Sequence, residues 1–173
     1  RLRRLQNNIG SRVFTSVIQP IVLQKAIRSC DVVIGAVRSA NGRSPCLVTE
    51  ETVSRMKPNS VIIDVSIDQG GVFETSEVTN HKHPVFRKYD VIHYCVPNIA
   101  SRVSRTATYA LTNIFTPILV DIGEVGGFMN LIWERPGIRN AVYLYQGQLT
   151  NKHLSDRFNL QYKDLDLLIV SNR

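Results

Sequence analysis

Through the first hundred positions, apolar residues gather in short, nearly unbroken runs; after that they recur at helical spacing. Asp31-Val-Val-Ile-Gly-Ala-Val37, Ser60-Val-Ile-Ile-Asp-Val65 and Asp90-Val-Ile-His-Tyr-Cys-Val96 are the runs. Continuous Val and Ile, without a polar alternation, predicts strands of a parallel sheet covered on both faces. Each run opens into a polar or Gly/Pro-rich exit: Arg38 to Pro45, Ser66-Ile-Asp-Gln-Gly-Gly71, and Pro97-Asn-Ile-Ala100. In an open α/β sheet those exits form the carboxyl edge, where ligands bind.

The segments between them complete the alternation. Residues 1–8 end a helix stopped at Asn8-Ile-Gly10, and the β-branched stretch Arg12 to Ile18 predicts a further strand. Pro20 starts a helix to about Cys30, with Ile21, Val22, Ala26 and Ile27 as its apolar side. Thr49 to Met56 is a short helix, with Thr49 as N-cap and Glu50 and Glu51 at the positive end of the dipole. Residues 69–89 form a long connection of little periodicity. From about Ser101 or Val103, the spacing of Val103, Ala107, Ala110, Ile114 and Ile118 predicts a long helix kinked at Pro117 and ended by Gly123, Gly126 and Gly127. After a break at Trp133 to Pro136, Ile138–Leu149 and Asn151–Phe158 read as two more helices. The expected fold is α/β: the second half of a Rossmann-type parallel sheet, then a long kinked connecting helix and C-terminal helices. The organisation expected is residues 1–104 as a partial nucleotide-binding sheet domain and 105–173 as a long helix and C-terminal helices that hand the chain to another domain.

Composition adds limits. With 173 residues and 43% hydrophobic content the chain can build a core. No apolar stretch approaches the ~18 residues of a membrane span, so membrane binding is not expected. The net charge of +7 is spread out rather than gathered into an aromatic-studded groove; only Arg1, Arg3, Arg4 and Arg12 cluster, so no nucleic-acid partner is expected. Cys30, Cys46 and Cys95 form an odd set without C-x-x-C spacing, which fits a reduced, cytoplasmic chain with no structural zinc. Arg1-Leu-Arg-Arg-Leu5 reads as a helix already under way, and the expectation is a piece of a longer protein.

Asp68 is the strongest candidate for chemistry. It stands past a strand end beside Gly70 and Gly71, where a carboxylate can accept from a ribose hydroxyl, hold a proton donor, or simply cap its own turn. Asp64, inside the run, needs a buried partner and reads as structural. Asn98 either offers its amide to a ligand or shapes the turn into the long helix. Ser101 and Ser104 are candidate N-caps there, and Arg105 in the first turn invites a salt bridge or an anion. His93 reads as a satisfied core histidine, while His81 and His83 lack the residues that would complete a metal set. Asn41-Gly42 with Arg43 either cradles a phosphate or forms an exposed turn. No G-x-G-x-x-G follows a strand; in a doubly wound fold that turn and its ribose-reading acid would precede Arg1.

Taken together, Asp31-Val-Val-Ile-Gly-Ala-Val37, Met56-Lys-Pro, Ile63-Asp-Val-Ser-Ile-Asp-Gln-Gly-Gly71, His93-Tyr-Cys-Val96 and Arg105-Thr-Ala-Thr-Tyr-Ala-Leu-Thr-Asn113 closely resemble the alanine dehydrogenase family, related to the pyridine nucleotide transhydrogenases. The resemblance runs over roughly residues 1–120 and fades beyond about 125. It implies a parent that oxidises L-alanine to pyruvate and ammonium with NAD; NADP stays open, because the discriminating acid falls outside the chain. It further implies a small-molecule substrate, a homo-oligomer, and a fragment inactive by itself. Asp68 matches the family's active-site aspartate. Val37, Val65, Ser66, Ile67, Asp68, Pro97, Asn98, Ile99 and Ala100 match its nicotinamide-side contacts. The loop 38–46 departs from the family pattern, with Arg38 for an apolar residue and Cys46 for a lysine. The alternatives are a catalytically silent nucleotide-binding or regulatory module and a transhydrogenase-like NAD(P)-binding protein.

Overall fold

The computed structural model describes residues 2–10, 13–39 and 42–171, with the side chains of Leu2 and Arg3 left out. The expectations resting on Arg1, Arg12 and Asn41 lie outside the described residues. The chain divides into two compact units, Arg1–Pro97 and Asn98–Arg173.

In the first unit, α1 (Leu2–Ile9) and α2 (Pro20–Ser29) precede β1 (Val32–Gly35), α3 (Glu50–Ser54), β2 (Val61–Asp64), β3 (Val85–Lys88) and β4 (Val91–Tyr94). The sheet order is β1-β2-β4-β3. β1 pairs parallel with β2 and β2 parallel with β4, so the ends of all three expected strands share one edge. β3 is an antiparallel strand inside the stretch read as structureless. Its four residues hold only two apolar side chains, too short a pattern to stand out. Tyr89 and Asp90, at φ 53° and 58°, join β3 to β4 in the two-residue left-handed turn that matches strand twist.

The strand expected at Arg12–Ile18 does not form: among the described residues of this segment no ladder partner is present, and Phe14, Val17 and Ile18 are exposed. β-propensity without a neighbouring strand leaves backbone groups to water instead. α2 buries Ile27, with Leu23 partly covered, while Ile21 stays 80% exposed; the packed stripe is rotated from the one expected. Thr49 caps α3 as expected, its hydroxyl accepting from Thr52 N–H.

The core lies on one face of the sheet. Ile62 and Val91 pack there with Ile27, Val48, Val53, Met56, Val72 and Phe73. Gly35 belongs to this packing, since a Cβ there would stand 2.6 Å from the Phe73 ring. On the other face Val32 and Ile34 are exposed, so coverage of both faces, as expected from the runs, is not complete within this chain.

The second unit opens with a 3-10 turn at Ile99–Val103 and α4 (Ser104–Glu124), which continues unbroken through Pro117. A sharp bend of 104° falls between Glu124 and α5 (Phe128–Glu134), at the glycine pair. No single helix among the described residues is long and apolar enough to cross a membrane. After α6 (Pro136–Arg139) comes a hairpin, β5 (Leu144–Tyr145) and β6 (Gln148–Leu149), where a helix was expected. Gln146 and Gly147, at φ 48° and 76°, supply its turn. α7 (Lys152–Phe158), capped by Asn151, is as expected, and α8 (Leu165–Ser171) adds Leu165 and Ile169 to a core with Ile132 and Val142.

Candidate functional site

The exit of β2 is built around a buried carboxylate. Asp64 is fully buried and accepts from Ser66 N–H (3.1 Å), Val72 N–H (2.8 Å) and the Ser76 hydroxyl (2.6 Å). Three donors fixed on one acid define the path of residues 65–72. Gly71, at φ 80°, is required there: a Cβ would approach Asp64 Oδ2 to 2.8 Å. Ile67–Gln69 form a 3-10 turn closed by Gly70 in the left-handed region, and Asp68 is exposed on it. The expected division between the two acids therefore holds geometrically: Asp64 is spent on the loop, and Asp68 faces outward.

The exit of β1 is stapled to that turn. Ser66 Oγ accepts from Val37 N–H (2.8 Å) and donates to Val37 C=O (2.9 Å), and the Ser44 hydroxyl donates to the same carbonyl (2.9 Å). Ser44 N–H also donates to Gln69 C=O at 2.8 Å. With both backbone groups of Val37 engaged, only its half-buried side chain is left to meet a ligand. Ser66 is buried and its hydroxyl is committed, so its side chain positions Val37. Arg43 lies against the other flank of the turn, where a Cβ on Gly70 would stand 3.1 Å from its Nε and 3.2 Å from its Cγ.

Val37, exposed Val65, buried Ser66 and Ile67, exposed Asp68 and half-buried Pro97 all lie within a few residues past the ends of β1, β2 and β4. Asn98, Ile99 and Ala100 follow in the second unit. Asn98 takes the left-handed conformation, φ 55°, and makes no side-chain cap. Neither Ser101 nor Ser104 caps α4: Val103 occupies that position, and Ser104 is already helical. Arg105, read as inviting a salt bridge or an anion, stands 5.9 Å from the Tyr109 ring centre and has no ion pair among the described residues.

Behind the edge, His93 is fully buried, stacked on Phe86 and bonded to Thr75 Oγ1 (2.9 Å) and Val91 C=O (3.1 Å). Burial holds its pKa below the ordinary histidine value. Cys95 is buried too, and burial pushes its thiol up. Cys46 is exposed and Cys30 half-buried. The double staple through Ser44 and Ser66 was not foreseen; a serine following a buried strand is too common a pattern to flag it.

The edge presents an exposed acceptor carboxylate at Asp68 beside the apolar side chains of Val37 and Val65, which can receive a small ligand carrying both hydrogen-bond donors and an apolar face.

The family model described as "Alanine dehydrogenase/PNT, C-terminal domain" matches residues 1–152. An alanine dehydrogenase of Lysinibacillus sphaericus is 36% identical over 170 residues, covering 98% of this chain and 45% of that protein. One from Staphylococcus saprophyticus is 34% identical over 167 residues, covering 96% and 45%. Among solved structures, an L-alanine dehydrogenase matches with a TM-score of 0.78 at 32% identity, over 91% of this chain and 43% of that one. A transhydrogenase from Sinorhizobium meliloti matches with a TM-score of 0.54 at 26% identity, over 59% and 30%. The similarity thus extends well past residue 125, further than the sequence motifs carried it. The chain spans about 45% of the length of these curated relatives.

Proposed function

We propose, because the chain belongs to the alanine dehydrogenase/PNT family through its C-terminal domain, that it is the nicotinamide-side part of an NAD-dependent oxidoreductase converting L-alanine to pyruvate and ammonium. The observation that carries this is Asp68, an exposed carboxylate on a fixed turn at the shared edge of three parallel strands. When bound, NAD supplies the hydride acceptor; the protein orients the partners. Asp64, Gly71 and Ser66 hold the turn. Asp68 then accepts a hydrogen bond from the ribose, the carboxamide or the substrate ammonium. Val37 and Val65 offer apolar contact to the nicotinamide, with Pro97 at the exit of β4 on the same sheet edge; for Asn98, Ile99 and Ala100 the cofactor contact rests on the family resemblance alone.

The test uses the full-length parent carrying Asp68→Asn. The expected result is a fall in kcat of about a hundredfold or more, in the range seen when one positioned polar group is removed, with NADH still bound. Wild-type turnover of alanine by that variant would refute the assignment. The chain by itself is expected to show no turnover. The Sinorhizobium match supports a second reading, a transhydrogenase-like NAD(P) binder; hydride exchange between the two nucleotides without alanine would favour it.

A further inference from the structure

We propose that Arg43 is an anion-binding residue of the same edge, gripping the phosphate attached to the nicotinamide ribose. This rests on the function proposed above and adds a phosphate contact that supplements any glycine-rich turn.

The loop 42–46 is held at the edge. Ser44 donates its N–H to Gln69 C=O and its hydroxyl to Val37 C=O, so the residue before it is delivered beside the Asp68 turn. Gly70, at φ 104° and without a Cβ, leaves a flat surface on which the Arg43 side chain rests. Arg55, Arg135 and Arg139 each pair with a carboxylate, whereas the Arg43 guanidinium has no ion pair among the described residues. Asp68 likewise has none among the described residues, although the Arg43 side chain, coming from its own loop, rests against Gly70 two positions further along the Asp68 turn. An exposed acid and an arginine that meet the same turn without pairing suit a ligand that carries both a donor and an anion. A phosphorylated ribose is such a ligand: its hydroxyls donate to the carboxylate, and its phosphate takes the planar guanidinium fork.

Binding of three reduced ligands to the full-length parent separates this from packing: NADH, nicotinamide mononucleotide with one phosphate, and nicotinamide riboside with none. Arg43→Ala and the neutral, shorter but still polar Arg43→Gln are both made, with Arg43→Lys as the conservative variant. The expected result is about a tenfold loss for the mononucleotide, the size of one charge-assisted contact, little change for the riboside, and partial recovery in Arg43→Lys. Equal loss for mononucleotide and riboside would assign Arg43 to loop packing and overturn the proposal, as would unchanged affinities. Wild-type protein that binds none of the three would bring down the proposed function as well, whereas normal wild-type binding with unaffected variants removes Arg43 alone.

Discussion

Asp64 and Asp68 stand four residues apart, and hydrogen bonding separates their roles. Three donors converge on Asp64 in the interior, which leaves Asp68 as the acid the turn presents. The sequence carried this division, because an acid inside an apolar run must find buried partners. What it did not carry was the cost to Ser66, whose hydroxyl is used up on Val37. His93 extends the same residue-scale reasoning to pH. Its Nε2 and Nδ1 are both engaged in a buried site, and its folded pKa lies below the ordinary value of 6.5. Below about pH 6.5 the unfolded chain therefore binds a proton that the folded chain resists. Stability is full above that value and falls as pH drops toward the folded pKa, by at most about 1.4 kcal/mol per unit for one proton. Urea unfolding at pH 7.5, 6 and 5 is expected to show this loss, with a shallower slope in His93→Gln. Identical slopes would mean that His93 does not contribute.

At the scale of elements, legibility followed burial. β1, β2 and β4 were readable because Val and Ile dominate strands with a packed face. The hairpin at 144–149 was not, since Val142, Tyr145 and Leu149 also satisfy helical spacing. Only the paired positive φ of Gln146 and Gly147 decides between the two, and a single glycine signals it weakly. Arg139 was passed over for a related reason: a lone arginine between two elements carries no periodicity. In the fold its guanidinium donates to the carbonyls of Ile132 (2.8 Å) and Trp133 (3.1 Å) at the end of α5 and to Asp166 (3.0 Å) at the start of α8. One side chain thus closes a helix end and ties it to another element. Arg139→Ala is expected to destabilise the second unit by about 1–3 kcal/mol, the cost of leaving such acceptors without a charged donor. Arg139→Lys should recover little, because an ammonium cannot reproduce the fork. Thermal unfolding followed by the fluorescence of Trp133 reads the change, and a full rescue by lysine would contradict the argument.

For the whole molecule, the apolar surface left open is the informative feature. The ladder ends at β1, and Val32 and Ile34 on it are 51% and 63% exposed. α4 buries none of its residues, leaving Tyr109, Leu111, Ile114, Phe115, Leu119 and Val120 exposed. Contiguous apolar surface and an unpaired strand edge both favour association with another chain or segment. The curated relatives are more than twice as long as this chain. Purified by itself, the chain is expected to sediment as concentration-dependent assemblies. Two sets of substitutions divide the cause: Val32→Lys with Ile34→Lys charges the sheet, and Leu119→Glu with Phe115→Glu charges the helix. If the sheet drives association, only the first pair returns the chain to a monomer; if α4 drives it, only the second does. A wild-type chain that sediments as a monomer across the accessible concentrations would show that neither surface is sticky enough to matter, and the open apolar positions would then need no partner.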